Sequence, residues 1–230
     1  MKRRAPLTIA LLVVITLIWL YEAAIHAAEN NFVLAHLGAI LPGTLQRHEY
    51  WRLLAAMFLH GGWTHWAANS WALYQLGTLY EVLFGTRRFA LVYFVSGICA
   101  SIASAAHLQN EVAVGASGAI FGVLGAFIFS IYRSPRSRGQ PWTRGLIGQF
   151  VFWIFINIVI GLSIPQIDNF AHIGGLVTGL ILGFLPHREP PPPPSCSSDA
   201  STALPWRRCG RCIRSPTRTA SPATRRSCRR

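Results

Sequence analysis

The chain has 230 residues, 52% hydrophobic and only 13% charged, with a mean hydropathy of +0.37. That is too apolar for an ordinary water-soluble domain and points to membrane spans. The net charge of +13 is mainly a property of the tail, where ten arginines face two acids from His187 onward; such blocks bind phosphates non-specifically, and nothing resembles a base-reading module, so a specific nucleic-acid partner is not expected.

Six long apolar runs predict six spans in an all-α bundle: Leu7–Ile25, about Trp66–Phe84, Phe89–Ala106, Ser117–Tyr132, Leu146–Ile164 and Phe170–Leu185. Most approach the roughly 20 residues that cross a hydrocarbon core of about 30 Å. The first run is longer than the apolar part of a typical signal peptide and has no evident small-residue cleavage site, so it reads as a retained helix. Lys2, Arg3 and Arg4 precede it, and a long first loop then carries Arg47, Trp51, Arg52 and His60. Taken by themselves, Trp51 and Arg52 read as an interfacial anchor.

The second run opens with His65 and Asn69, spaced i and i+4 and so on one helix face, and carries Glu81 toward its other end. Arg87 and Arg88 separate it from the third run, where Cys99 sits in apolar surroundings. Gln109, Asn110 and Glu111 lead toward Gly115-Ala116-Ser117-Gly118 at the head of the fourth run. Arg133, Arg136, Arg138 and Arg144 precede the fifth, and Asp168 and Asn169 precede the sixth, which carries His172 near its start. Basic residues thus gather in alternate loops, which predicts that both termini are cytoplasmic.

On that orientation the second, fourth and sixth runs start on the outer side, and His65, Asn69, Ser117 and His172 lie at one depth. Polar groups inside spans are costly and mark function by default. The fourth run has 16 residues, about 24 Å of helix, which sets Ser117 about 6 Å below the outer hydrocarbon boundary. Irregular backbone at that depth requires a buried or water-lined setting, so the stretch before Ser117 should border a hydrated recess. Gly118, Gly122 and Gly125 on one helix, and Ala171, Gly175, Gly179 and Gly183 on the other, follow the small-residue spacing that permits close helix approach.

A serine hydroxyl becomes a competent nucleophile when an imidazole removes its proton, so Ser117 with His172 forms the minimal pair for acyl transfer. His65, the Asn69 amide and the Ser117 main-chain N–H are donors of the type that stabilises an oxyanion. Asp168 lies four residues before His172, but after Ile164-Pro165 it reads better as a helix cap, alternatively with Asn169, than as the acid of a triad.

These residues resemble the motifs of the rhomboid intramembrane proteases. Gly115-Ala116-Ser117-Gly118 is similar to their GxSG, His65-Trp66-Ala67-Ala68-Asn69 to their HxxxN, and Ala171-His172-Ile173-Gly174-Gly175 to their histidine-bearing sixth helix. The resemblance covers about Leu7–Leu185 and extends to Trp51-Arg52, His60 and Glu81. It implies a six-helix core, a serine–histidine dyad of Ser117 and His172, and oxyanion roles for His65 and Asn69. It further implies no metal or cofactor, and substrates that are single-pass transmembrane proteins within the lipid bilayer. Trp51 and Arg52 would be structural, and His60 and Glu81 would belong to polar networks; as isolated residues these last two read equally well as helix-end polar groups. One departure is Phe121, where many members carry a tyrosine; the ring is kept and only the hydroxyl is lost, so activity is expected to persist.

Two other readings share the scaffold or the setting. A silent relative that binds transmembrane helices would lack the nucleophile or the base, and this chain has both. A small transporter would carry charges near mid-depth and broken helices in matching halves, and neither is evident. The core is expected over 1–187. Residues 188–230, with Pro190–Pro194 followed by serine, threonine and arginine, read as a disordered cytoplasmic tail. Cys196, Cys209, Cys212 and Cys228 fall in that tail, and the lone Cys209–Cys212 CxxC without a second pair reads as incidental rather than metal-binding. The small core resembles bacterial members, hence a plasma-membrane placement.

Overall fold

The computed structural model describes residues 5–27, 30–108, 112–135, 140–164 and 167–186, with side chains omitted at 141–142. Lys2 to Arg4, Gln109 to Glu111, Arg136, Arg138, Pro165, Gln166 and the whole tail from His187, with its proline run and CxxC, lie outside the described residues.

All the apolar runs are helices. Helix α1 (Pro6–Ala24) is followed by a long connection that holds α2 (Asn31–Leu37), α3 (Trp51–Ala55) and a 3-10 turn at Ala56–Phe58. Helix α4 (Trp63–Ala72) continues through a π turn at Leu73–Gly77 into α5 (Thr78–Phe84) as one rod. Then come α6 (Thr86–His107), α7 (Ser117–Arg133), α8 (Pro141–Ser163) and α9 (Asn169–Gly183). Several helices begin earlier than the apolar runs because a helix continues past its last apolar residue: α4 starts at Trp63, α6 at Thr86, and α8 at Pro141, where proline suits a first turn that needs no N–H. Among the described residues the fold is all-α, and the one β contact is an isolated antiparallel pair, Ile40 with Ala113.

Among the described residues three helices are long and apolar enough to cross a membrane: Pro6–Ala24, Thr86–His107 and Thr143–Ser163, with mean hydropathies of 2.2, 1.9 and 2.1. Helices α7 and α9 are apolar but shorter. The placement of α7 explains how a short helix is tolerated there. From Gly118 to Phe127 every residue of α7 is buried, so protein rather than lipid covers that stretch. Helix α8 shows the opposite pattern, with Val151, Phe152, Trp153, Phe155 and Leu162 exposed as a lipid-facing surface would be.

Helix α7 is gripped by α6 running antiparallel and α9 running parallel, since Gly118 meets Ala100 and Ala171 while Gly122 meets Ser96 and Gly175. Lipid tails are as apolar as leucine, so this assembly depends on packing rather than on expelled water. Aromatic rings fill the wider spaces: Tyr80, Phe84, Phe89 and Phe127 form one cluster with centroids 4.7 to 6.3 Å apart.

Charged and polar groups tie the helix ends. Glu81 accepts the main-chain N–H groups of Leu7 (3.0 Å) and Thr8 (2.8 Å) and the hydroxyls of Thr8 and Thr86 (2.8 Å each), filling the donor-rich first turn of α1. Arg88 donates to Tyr80 Oη (3.0 Å), Ser130 Oγ (3.1 Å) and the carbonyls of Gly183 (3.3 Å) and Leu185 (2.9 Å). Arg133 takes the Phe184 carbonyl at 2.9 Å. Two guanidinium groups therefore cover the carbonyl end of α9, where positive charge also suits the helix dipole.

Candidate functional site

The connection that precedes α7 is held by main-chain contacts. Ala113 and Ile40 exchange two N–H···O bonds of 3.0 Å, and the Gly115 N–H donates to the Ala56 carbonyl at 2.8 Å. Gly115 has φ +127°, a region that disfavours side chains, and an added Cβ would press on the His65 imidazole at 2.7 Å. Backbone conformation and space both demand glycine there. Ala116, wholly buried, forms the cap, and Ser117 is the first residue of α7. Its N–H therefore belongs to the first turn, which lacks intrahelical acceptors.

His172 reaches the same place from α9. Asp168 caps that helix, its carboxylate accepting the Ala171 N–H at 3.0 Å, and His172 sits one turn further along, buried at 6% exposure. Its Nε2 lies 2.9 Å from Ser117 Oγ. In the neutral ring the hydroxyl donates to Nε2, which places the ring proton on Nδ1. Nδ1 has no hydrogen-bond partner among the described residues, and neither Asp168 oxygen is bonded to it. Asp168 acts as the helix cap of the sequence reading.

Close helix approach creates the 2.9 Å contact. A methyl group added at Gly175 would fall on the Gly118 carbonyl, and one at Gly179 on the Gly122 carbonyl. Gly125 faces Leu176 and Leu180 along the same seam, whereas Gly183 faces Phe129. Phe121 lies flat on the His172 ring, with centroids 4.3 Å apart and planes 3° from parallel.

His65 and Asn69 occupy successive turns of α4, the first half-buried and the second buried. Both border Gly115: its added Cβ would lie 3.7 Å from Asn69 Nδ2 as well as against His65. Ser117, His172, His65, Asn69, Gly115, Gly118 and Phe121 are thus brought to one end of the bundle. His60 is next to them, wholly buried, its ring 5.3 Å from that of His65.

Trp51, Arg52 and Glu81 lie away from this cluster. Arg52 is buried and donates to the carbonyls of Ala35 and Ala39 and to Glu49 (2.7 Å), with its guanidinium 4.6 Å from the Trp51 ring. Hydrogen bonding to Arg52 holds the Glu49 carboxyl below the usual carboxylate range. Trp51 in turn fills the space beside Gly38, a left-handed residue with φ +116° that ends α2. This pair braces the first connection. Glu81 anchors α1 at the other end of the α4–α5 rod.

Sequence reasoning overlooked Glu22, Ile40 and the capping role of Arg88. Glu22 had a usable signal, an acid inside an apolar run. Ile40 had none, because a single bridged pair has no periodicity. Among the described residues no group of three or more His, Cys, Asp or Glu side chains is placed to hold a metal ion.

A family model for the rhomboid domain matches residues 47–189. The chain is 41% identical over 175 residues to RHOMBOID-like protein 6, mitochondrial, of Arabidopsis thaliana, covering 70% of this chain and 54% of that protein. It is 37% identical over 162 residues to RHOMBOID-like protein 7 of the same plant, covering 68% and 49%. With Rhomboid protease GluP of Bacillus subtilis it shares 38% identity over 152 residues, 66% of this chain and 29% of that one. The chain therefore spans about half the length of the plant relatives, or less for the bacterial one. A matched domain that includes both Ser117 and His172, relatives named as a rhomboid protease in Bacillus subtilis and as Rhomboid-type serine protease 2 in Emericella nidulans, and apolar helices long enough to cross a bilayer lead to one conclusion: the chain belongs to the rhomboid family and is an integral membrane protein of a serine protease lineage.

Proposed function

We propose that the protein is an intramembrane serine endopeptidase that cleaves transmembrane segments of single-pass proteins with a dyad of Ser117 and His172. The observation that carries this is the 2.9 Å contact between Ser117 Oγ and His172 Nε2 at the mouth of a helix pair packed on glycine. His172 takes the hydroxyl proton as Oγ bonds to the scissile carbonyl carbon, and the imidazolium then protonates the leaving amine. Water, deprotonated by the same ring, hydrolyses the acyl-enzyme and restores Ser117.

The tetrahedral oxyanion would be met by the Ser117 N–H, His65 and the Asn69 amide, which border the Gly115 bend; fixed donors of this type are worth about 10²–10³ in kcat. The Asp168 carboxylate caps α9 through the Ala171 N–H and makes no hydrogen bond to His172 Nδ1, which supports a dyad over a triad. Phe121 supplies the flat support for the base. The orientation with both termini cytoplasmic, the placement in a bacterial plasma membrane, and the division into a core at 1–187 and a basic tail at 188–230 belong to the same proposal.

The test is reconstitution with a panel of single-pass substrates beside Ser117→Ala, together with labelling of folded protein by a fluorophosphonate. Cleavage and labelling by the parent alone are expected. Equal cleavage by both would remove Ser117 as nucleophile, and a parent that neither cleaves nor labels would favour a silent helix binder.

A further inference from the structure

The seam between α1 and α4 carries a polar contact that the mechanism above does not use. Glu22, in the last turn of α1, is wholly buried, and both of its oxygens accept the His60 main-chain N–H, at 3.1 and 3.2 Å. No cation pairs with it among the described residues. A carboxyl group inside an apolar span is costly and is kept where it performs a task. One turn earlier Trp19 stacks on Trp66, with centroids 4.3 Å apart and planes 12° from parallel. Helix α1 therefore holds the chain on both sides of His65, through His60 in the connection before α4 and Trp66 within it.

Contacts lead from this seam to the site. His60 meets the His65 ring edge-on, and His65 occupies the space that a side chain at Gly115 would need, two residues before Ser117. We propose that Glu22 is a positioning residue: by fixing the His60 main chain in the connection that leads into α4, it holds the His65 ring over the Gly115–Ser117 backbone, where the oxyanion forms. This rests on the oxyanion role given to His65 above. The required property is a hydrogen-bond acceptor at the end of a side chain of glutamate length. Misplacement of a catalytic group by about 1 Å costs about 10²-fold in rate.

The experiment compares Glu22→Gln, which keeps an acceptor, with Glu22→Met, which keeps length and packing but loses it. Two readouts are taken on the full chain: kcat and KM for a transmembrane substrate in proteoliposomes, and the imidazole NMR signals of His65 in histidine-labelled protein, assigned with His65→Gln. Glu22→Met is expected to lower kcat about ten- to a hundredfold with KM within about threefold, and to shift the His65 signals. Glu22→Gln is expected to stay near the parent in both. Parent-like kcat and His65 signals in Glu22→Met, or an equal fall in both variants, would overturn the proposal. Should the parent itself prove no more active than Ser117→Ala, the protease reading fails, and the His65 signals still decide the Glu22 link. Glu22→Asp, which keeps the charge and loses reach, serves where Glu22→Met does not fold, and the same loss is required of it.

Discussion

Phe121 and His172 are stacked face to face, 4.3 Å between centroids, on two helices joined at that level by a serine hydroxyl. The Phe121 ring covers the face of the imidazole and leaves its edge open, with Nε2 bonded to the Ser117 hydroxyl. A stacked aromatic pair contributes about 0.5–1.5 kcal/mol beyond its buried area. Phe121→Leu is therefore expected to lower kcat about two- to twelvefold, and Phe121→Tyr to remain close to the parent, as read from initial rates in proteoliposomes. An unchanged rate in Phe121→Leu would show that the stack does not orient the base.

The glycine seam gives a sharper contrast. Gly175→Ala and Gly179→Ala place a methyl on backbone carbonyls of α7, which cannot rotate away. Overpacking of this kind costs about 1–3 kcal/mol, and the separation it forces at Ser117 should abolish fluorophosphonate labelling. Gly145→Ala and Gly148→Ala on α8 meet nothing within 4 Å. These are expected to leave labelling and the thermal midpoint in detergent unchanged.

Neighbouring arginines should behave differently. Arg88 bonds Tyr80, Ser130 and two carbonyls at the end of α9, whereas Arg87 is exposed. A lost hydrogen bond to a charged group costs about 1.5–3 kcal/mol, so Arg88→Ala should lower the unfolding midpoint clearly and Arg87→Ala should not. Equal effects would mean that the cap on α9 contributes nothing beyond surface charge.

The brace in the first connection has a pH signature. The Glu49 carboxyl is held below its ordinary value of 4.5 by its hydrogen bond to Arg52. A depressed folded-state value means that the unfolded chain binds the proton first, so the pair stabilises above the unfolded value and its contribution is lost as pH falls through the folded one. Glu49 is solvent-exposed in part, and the effect is modest. The thermal midpoint of the parent should exceed that of Glu49→Gln at pH 7, with the gap closing as pH drops well below 4.5; a constant gap would exclude the carboxylate as its source.

The helices and the candidate dyad are legible in the sequence because two strong signals coincide: long apolar runs, and rare polar residues at matching depths within them. Ser117, His172, His65 and Asn69 stand out for that reason, and Asp168 is readable as a cap from its place before a periodic run. The first connection is not legible. Helices α2 and α3 are 7 and 5 residues long, too short for a periodic pattern, and the Ile40–Ala113 pair joins segments more than seventy residues apart. The π turn at Leu73–Gly77 leaves the apolar character of its run intact and so makes no mark. Arg88 reads as a topology charge because the carbonyls that it caps at the end of α9 lie 95 and 97 residues away. Helices extend beyond their apolar runs where polar turns precede them, as at Thr86 and Pro141.

The Ile40–Ala113 clasp, with the Gly115 bond to Ala56, registers Ser117 against the first connection through peptide groups. Bilayer thickness acts on helices through mismatch, by tilt and local thinning, yet a serine tethered to the rim does not ride with that adjustment. Ser117 therefore keeps a constant height below its own collar. A substrate held by that collar should be cut at the same bond in short-chain and long-chain lipids, even where the rate of cutting changes.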